Sequence, residues 1–166
     1  MPKTRKLALM AMFTAASLIV FVIEAQIPAP IPVPGVKLGL ANIVTLIAMV
    51  MLGRREAGLI LLVRIAMGSM FTGGVSAFIF SIAGGALAYA VMCLTLKLFP
   101  EKLLWVVSVL GAAAHNLGQL AAAIIITKTS SLILYAPALL ASAVITGAFT
   151  GIAAMYLIRR LDKRVG

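Results

Sequence analysis

The stretch GLILLVRIAMGSMF, residues 58–71, decides the fold class. It is apolar on both sides of one charged residue, Arg64. A guanidinium stays protonated, and at bilayer depth it costs about 3 kcal/mol or more unless a partner or water reaches it. An arginine so placed marks an internal polar site. Apolar runs of about 16 to 25 residues, the length a membrane-crossing helix requires, fill most of the remaining chain. Of 166 residues, 63% are hydrophobic and only 11% are charged, which excludes an ordinary soluble domain.

Outward from Arg64, six apolar segments are expected to be helices: 7–27, 38–52, 57–71, 75–98, 103–127 and 132–158. The second and third are short for a full crossing at about 1.5 Å per residue, and so are the ones expected to be tilted or partly outside the bilayer. Breaks fall at Pro28 to Gly35, with four prolines, at Gly73-Gly74 and at Pro100. The chain 1–166 thus reads as a single transmembrane domain. Its N-terminal Lys3-Thr4-Arg5-Lys6 and apolar run resemble a signal peptide, but the run is long and no small-x-small cleavage pattern follows, so a retained first span is expected.

The net charge of +10 is topology information. Alternate assignment of the helix ends puts Lys3, Arg5, Lys6, Arg54, Arg55, Lys97, Lys102, Arg159, Arg160, Lys163 and Arg164 on one side, against Lys37 and Lys128 on the other. The positive-inside rule makes the crowded side cytoplasmic, with both termini inside and an even number of spans. Cations at the ends of apolar runs argue against a nucleic-acid partner. A bacterial cytoplasmic membrane protein in contact with lipid is the expectation. Cys93, the single cysteine, allows neither an intrachain disulfide nor a cysteine cluster for metal, and no cofactor or metal site is expected.

Polar residues at matching depth supply candidates for the site around Arg64. His115 and Gln119 lie one helical turn apart and share a face, with Asn116 beside them. Small residues surround them: Gly111, Ala112, Ala113, Ala114, Gly118 and Ala121. Glu24, near the end of the first segment, is a second candidate, either as a ligand group or as a structural ion-pair partner for Arg64. Lys37, Asn42 and Thr45 flank the start of the second segment, where free N–H groups add to the positive charge of Lys37 and suit an anionic or carbonyl-rich ligand. Residues 28–37, with alternate prolines, form either a gate over a cavity mouth or a rigid connector. Ala11/Ala15 and Ala143/Gly147/Gly151 place small residues on single faces, for packing within the chain or against a separate membrane subunit.

Several chemistries lack their residues. Glu24, Glu56, Glu101 and Asp162 are the only acidic residues, so no aspartate-rich pair exists to hold a magnesium diphosphate. There is no phosphate-binding loop for ATP, no nucleophile elbow and no zincin pattern. Catalysis by this chain alone is not expected.

The string PGVKLGLANI at 34–43, Arg64, Ala83-Gly84-Gly85 and the string AHNLGQ at 114–119 together resemble one bacterial membrane family, labelled Gx transporter or heptaprenyl diphosphate synthase component I. The resemblance extends over nearly the whole chain. That family is in turn similar to the substrate-binding S components of energy-coupling factor transporters, six-helix proteins whose first helix carries an A-x-x-x-A face for a coupling subunit. Ala11 and Ala15 match that pattern. The resemblance therefore implies an all-α, six-helix membrane bundle like an S component.

Two functions follow. The first is a substrate-binding subunit for uptake of a small organic, anionic solute, held by Glu24, Lys37, Asn42, Arg64, His115, Asn116 and Gln119. It would be energised by a coupling subunit and ATPase module docked at Ala11 and Ala15. The second is a non-catalytic accessory subunit in polyprenyl diphosphate or quinone synthesis. An autonomous carrier is weaker, because Glu24 is the only intramembrane carboxylate and no inverted repeat is evident.

Overall fold

The computed structural model describes residues 2–27 and 37–165, the last four of them as backbone only. Among these all regular secondary structure is helical. Its helices are α1 (Lys3–Gln26), α2 (Asn42–Met51), α3 (Arg54–Thr72), α4 (Gly74–Thr95), α5 (Leu104–Thr127) and α6 (Ala136–Val165). Short 3-10 turns at Glu101–Leu103 and Ser130–Tyr135 lead into α5 and α6. The proline-rich segment expected to gate or connect lies, apart from Lys37, outside the described residues.

Four stretches are long and apolar enough to cross a membrane: Lys3–Gln26, Gly74–Thr95, Glu101–Thr127 and Ser130–Leu161. The 19 residues of α3 span about 28 Å, close to the hydrocarbon thickness, but Arg54, Arg55, Glu56 and Arg64 lower its apolar character. Helix α2 has 10 residues, about 15 Å, half of what a crossing needs.

The expected second segment, 38–52, is therefore corrected at its start: 37–41 is not helical. Gly39 adopts a φ of +77°, a left-handed conformation that glycine takes without a Cβ penalty. The N–H groups of Gly39 and Ala41 are also drawn to the Glu24 carboxylate. The sixth segment likewise begins later, at Ala136, because 130–135 winds as a 3-10 turn; Pro137 sits in the first helical turn, where its missing N–H costs nothing.

Helix α2 is the hub. It contacts α1, α3, α4, α5 and α6, and Val44 through Met49 are all buried. A helix buried on every side reads as a continuous apolar run, which is why the sequence shows no polar face here. Leu46, Ile47, Ala48 and Met49 join Ile60, Ala88, Met92, Leu104, Val107 and Ala154 in the main core. By contrast, α1 buries only Ser17, Phe21 and Glu24, spaced to lie on one face, and packs chiefly on α3. The Lys6 ammonium and the Glu56 carboxylate form an ion pair that joins α1 to the first turn of α3.

The tightest packing is α4–α5–α6. A Cβ placed on Gly118 would meet the Ala83 carbonyl oxygen at 2.6 Å, and one on Gly84 would meet the His115 carbonyl oxygen at 2.9 Å. On the other side of α5, Gly147 and Gly151 would meet the Cα atoms of Val109 and Trp105 at 2.5 Å. The Ala143/Gly147/Gly151 stripe thus serves packing within the chain. Ser108 and Thr150 share a hydrogen bond of 2.9 Å across the same interface.

This geometry sets an expectation for overpacking. Gly118→Val should lower the unfolding free energy by about 2 kcal/mol or more, since the new side chain collides with backbone that cannot yield. Ala121→Val, on an exposed position of the same helix, should stay within about 0.5 kcal/mol of the parent. Thermal unfolding of both variants in one detergent checks the contrast.

Candidate functional site

Five helices and one non-helical segment converge on one buried polar cavity. It is lined by Phe21 and Glu24 from α1; by Lys37, Gly39 and Ala41 from the non-helical segment; and by Asn42, Arg64, Ser81, His115 and Gln119 from α2 to α5. Six of the seven residues expected to form the site are brought together here. The open space is small, about 10 Å³ for the centre of a water-sized sphere, which is room for one water.

Glu24 organises the cavity. Its carboxylate accepts the Gly39 N–H, at short range, and the Ala41 N–H at 3.3 Å. These bonds tie the end of α1 to the turn that precedes α2. The Arg64 side chain is 2% exposed, and its Nη2 donates to Asn42 Oδ1 at 3.5 Å, a long bond. The backbone N–H of Lys37 donates to Gln119 Oε1 at 2.9 Å, which closes the non-helical segment onto α5.

Phe21 was not among the expected residues. Its ring lies under two cations, with Lys37 Nζ 3.9 Å and Arg64 Cζ 5.9 Å from its centroid. The ring has this position because Gly68 offers no Cβ; one there would lie 2.6 Å from Phe21 Cδ1. The 17/21/24 spacing on α1 is the signal that could have found it, since it puts Phe21 on the same face as Glu24. Ser81, the other unforeseen lining residue, had no signal beyond a lone hydroxyl in an apolar run.

Asn116 does not reach the cavity. Its Nδ2 donates to the Leu139 carbonyl at 2.8 Å and to Ser142 Oγ at 3.4 Å, so it joins α5 to α6. One residue of helical advance, about 100°, turns it away from the face shared by His115 and Gln119. Ala11 and Ala15 are exposed on α1, on the side opposite Ser17 and Phe21, and the fold leaves them outside its own packing. Thr45 is buried in α2 and does not line the cavity.

Much of the lining is unsatisfied. Among the described residues, Lys37 Nζ, Asn42 Nδ2, Arg64 Nε and Nη1, His115 Nδ1 and Gln119 Nε2 are buried without a hydrogen-bond partner. Each such vacancy costs about 1–3 kcal/mol, and native interiors hold few of them. Most of these atoms are donors, so the lining is richer in open donors than in open acceptors. The described residues hold no group of three or more histidine, cysteine or acidic side chains that could bind a metal.

Fold and site together define an all-helical, membrane-type bundle around an enclosed, donor-rich cavity. The chain belongs to the family described as heptaprenyl diphosphate synthase component I, whose pattern matches residues 13–157. No curated protein and no solved structure matches it.

The charge arrangement gives a second expectation. Glu24→Gln removes the one carboxylate that offsets two buried cations and should destabilise the fold by about 3 kcal/mol. Combining it with Arg64→Met should recover part of that loss, because the unbalanced guanidinium is gone. A double-mutant cycle of unfolding free energies measures the coupling.

Proposed function

We propose that this chain is the non-catalytic membrane subunit of a multi-component polyprenyl diphosphate synthase, and that its polar cavity is a ligand site. The family description names a component, and the chain has no aspartate-rich motif for diphosphate chemistry, so the reaction is assigned to a soluble partner. The observation that carries the reading is a cleft between α3 and α4. It holds about 500 Å³ and is lined by Gly58, Leu59, Leu61, Leu62, Ile82, Ala86 and Tyr89, with the Arg55 side chain at one end. An apolar trough ending in a cation matches the two halves of a polyprenyl diphosphate. Arg55 is exposed, beside the Lys6–Glu56 pair, at the end of the bundle that carries most of the cations.

A second reading is uptake of a small solute, and one observation favours it. The cavity adjoins the end of α1 remote from that cation-rich end, while Ala11 and Ala15 stand exposed on α1. In this reading the exposed alanine face meets a coupling subunit and an ATPase module supplies the energy. Affinity purification from the native membrane separates the two. A soluble prenyltransferase recovered in stoichiometric amount supports the first reading; an ATPase module recovered in its place overturns it in favour of the second.

Both readings take the protein to be a multi-pass protein of the bacterial cytoplasmic membrane. They share a topology of six segments with both termini inside, α2 and the segment before it counting together as one passage. Single cysteines at Ala29, Arg54 and Ser130, in a Cys93→Ser background, test it in intact cells with an impermeant thiol reagent. Labelling is expected at 29 and 130 only. Labelling at 54 from outside removes the topology.

A further inference from the structure

The carboxylate and amide oxygens of the polar cavity are engaged, while most of its donors are open. Both Glu24 oxygens accept backbone N–H groups, Asn42 Oδ1 accepts from Arg64, and Gln119 Oε1 accepts from the Lys37 N–H. These bonds also fix which way the two amides point, leaving Asn42 Nδ2 and Gln119 Nε2 as open donors. Lys37 Nζ and Arg64 Nε and Nη1 are open donors as well, whereas His115 Nδ1 is an open acceptor, because the neutral ring donates its other N–H to the Gly84 carbonyl. With five open donor atoms against that one nitrogen, a group that fills this space must present mainly acceptors.

Charge narrows the class further. The cavity contains two cations, Lys37 and Arg64, and one carboxylate, Glu24, with the His115 imidazole counted as neutral at pH 7. One positive charge is left over. In a low-dielectric interior an uncompensated charge is expensive, so one negative charge balances the site and several would not. A diphosphate exceeds the site in charge, whereas a carboxylate offers two oxygens, acceptor lone pairs only, and a single charge.

We propose that the cavity binds the carboxylate group of a small monocarboxylic ligand. Arg64 and Lys37 hold the two oxygens from one side, and the Gln119 and Asn42 amides complete the clamp. Phe21, which underlies both cations, forms an apolar wall for the carbon adjoining the carboxylate. The proposal rests on the reading of the cavity as a ligand site, and is independent of which partner assembly is correct. It also separates this site from any diphosphate, which falls to the α3–α4 cleft or to the catalytic partner.

Thermal unfolding of the full-length protein in nanodiscs tests it, with sodium benzoate, sodium butyrate, inorganic phosphate and inorganic diphosphate as probes at matched ionic strength. Saturable stabilisation by a carboxylate, and none by phosphate or diphosphate, is the expected result. Gln119→Glu is nearly isosteric, can still accept the Lys37 N–H, and brings the cavity to neutrality. It should weaken carboxylate binding at least tenfold, whereas Gln119→Met, which keeps the positive charge, should weaken it less. Stabilisation by phosphate or diphosphate in place of the carboxylates overturns the ligand class but retains the site. Equal carboxylate binding in the parent and Gln119→Glu overturns the charge argument. No response to any probe, in a parent protein that unfolds cooperatively, overturns the class and the ligand-site reading together.

Discussion

The grip of the Glu24 carboxylate on the Gly39 and Ala41 N–H groups is the constraint on which this structure turns. It lets residues 37–41 run through the bundle without helical hydrogen bonds, since otherwise those N–H groups would be buried and unpaired. It sets where α2 begins, and hence how short α2 is. It also places one negative charge beside Arg64, without which a guanidinium at that depth would face two amides and an imidazole. The cavity lies at this junction, lined by polar side chains from five helices and the 37–41 segment.

The sequence made much of this legible because charge in an apolar run is hard to explain any other way. Arg64, Glu24, His115 and Gln119 stood out for that reason, and they meet in space. What the sequence withheld was of two kinds. Asn116 has the same chemistry as its neighbours, and only the angular position of a residue on α5 distinguishes a cavity ligand from a helix–helix staple. The start of α2 is not legible because Leu38 to Ala41 is apolar and continuous with the helix, while the carboxylate that holds its turn comes from Glu24, more than ten residues away in sequence. Phe21 escaped notice because an aromatic in an apolar span is ordinary until two cations are seen resting on it. Glycines behaved similarly. The small-residue stripe on α6 and the alanine pair on α1 look alike in sequence, yet one is consumed by packing against α5 and the other remains free.

Two chemically different places emerge, and they sit at different depths. The cavity is enclosed, donor-rich and short of anions; the α3–α4 cleft is apolar, open toward lipid and ends in Arg55. Helix α4 stands between them, contributing Ser81 to the first and Ile82 and Ala86 to the second. The linings of the two places share no residue.

The glycine crossing of α4 and α5 has a mechanical consequence. Backbones that already touch at Gly84 and Gly118 have no slack to slide or part, so this side of the cavity is a fixed wall. On the opposite side, α1 buries only three residues, and besides its packing on α3 it is held by an ion pair at one end and the Glu24 bonds at the other. The cavity thus has unequal walls: backbone against backbone on the α4–α5 side, side-chain contacts from a lightly buried helix on the other.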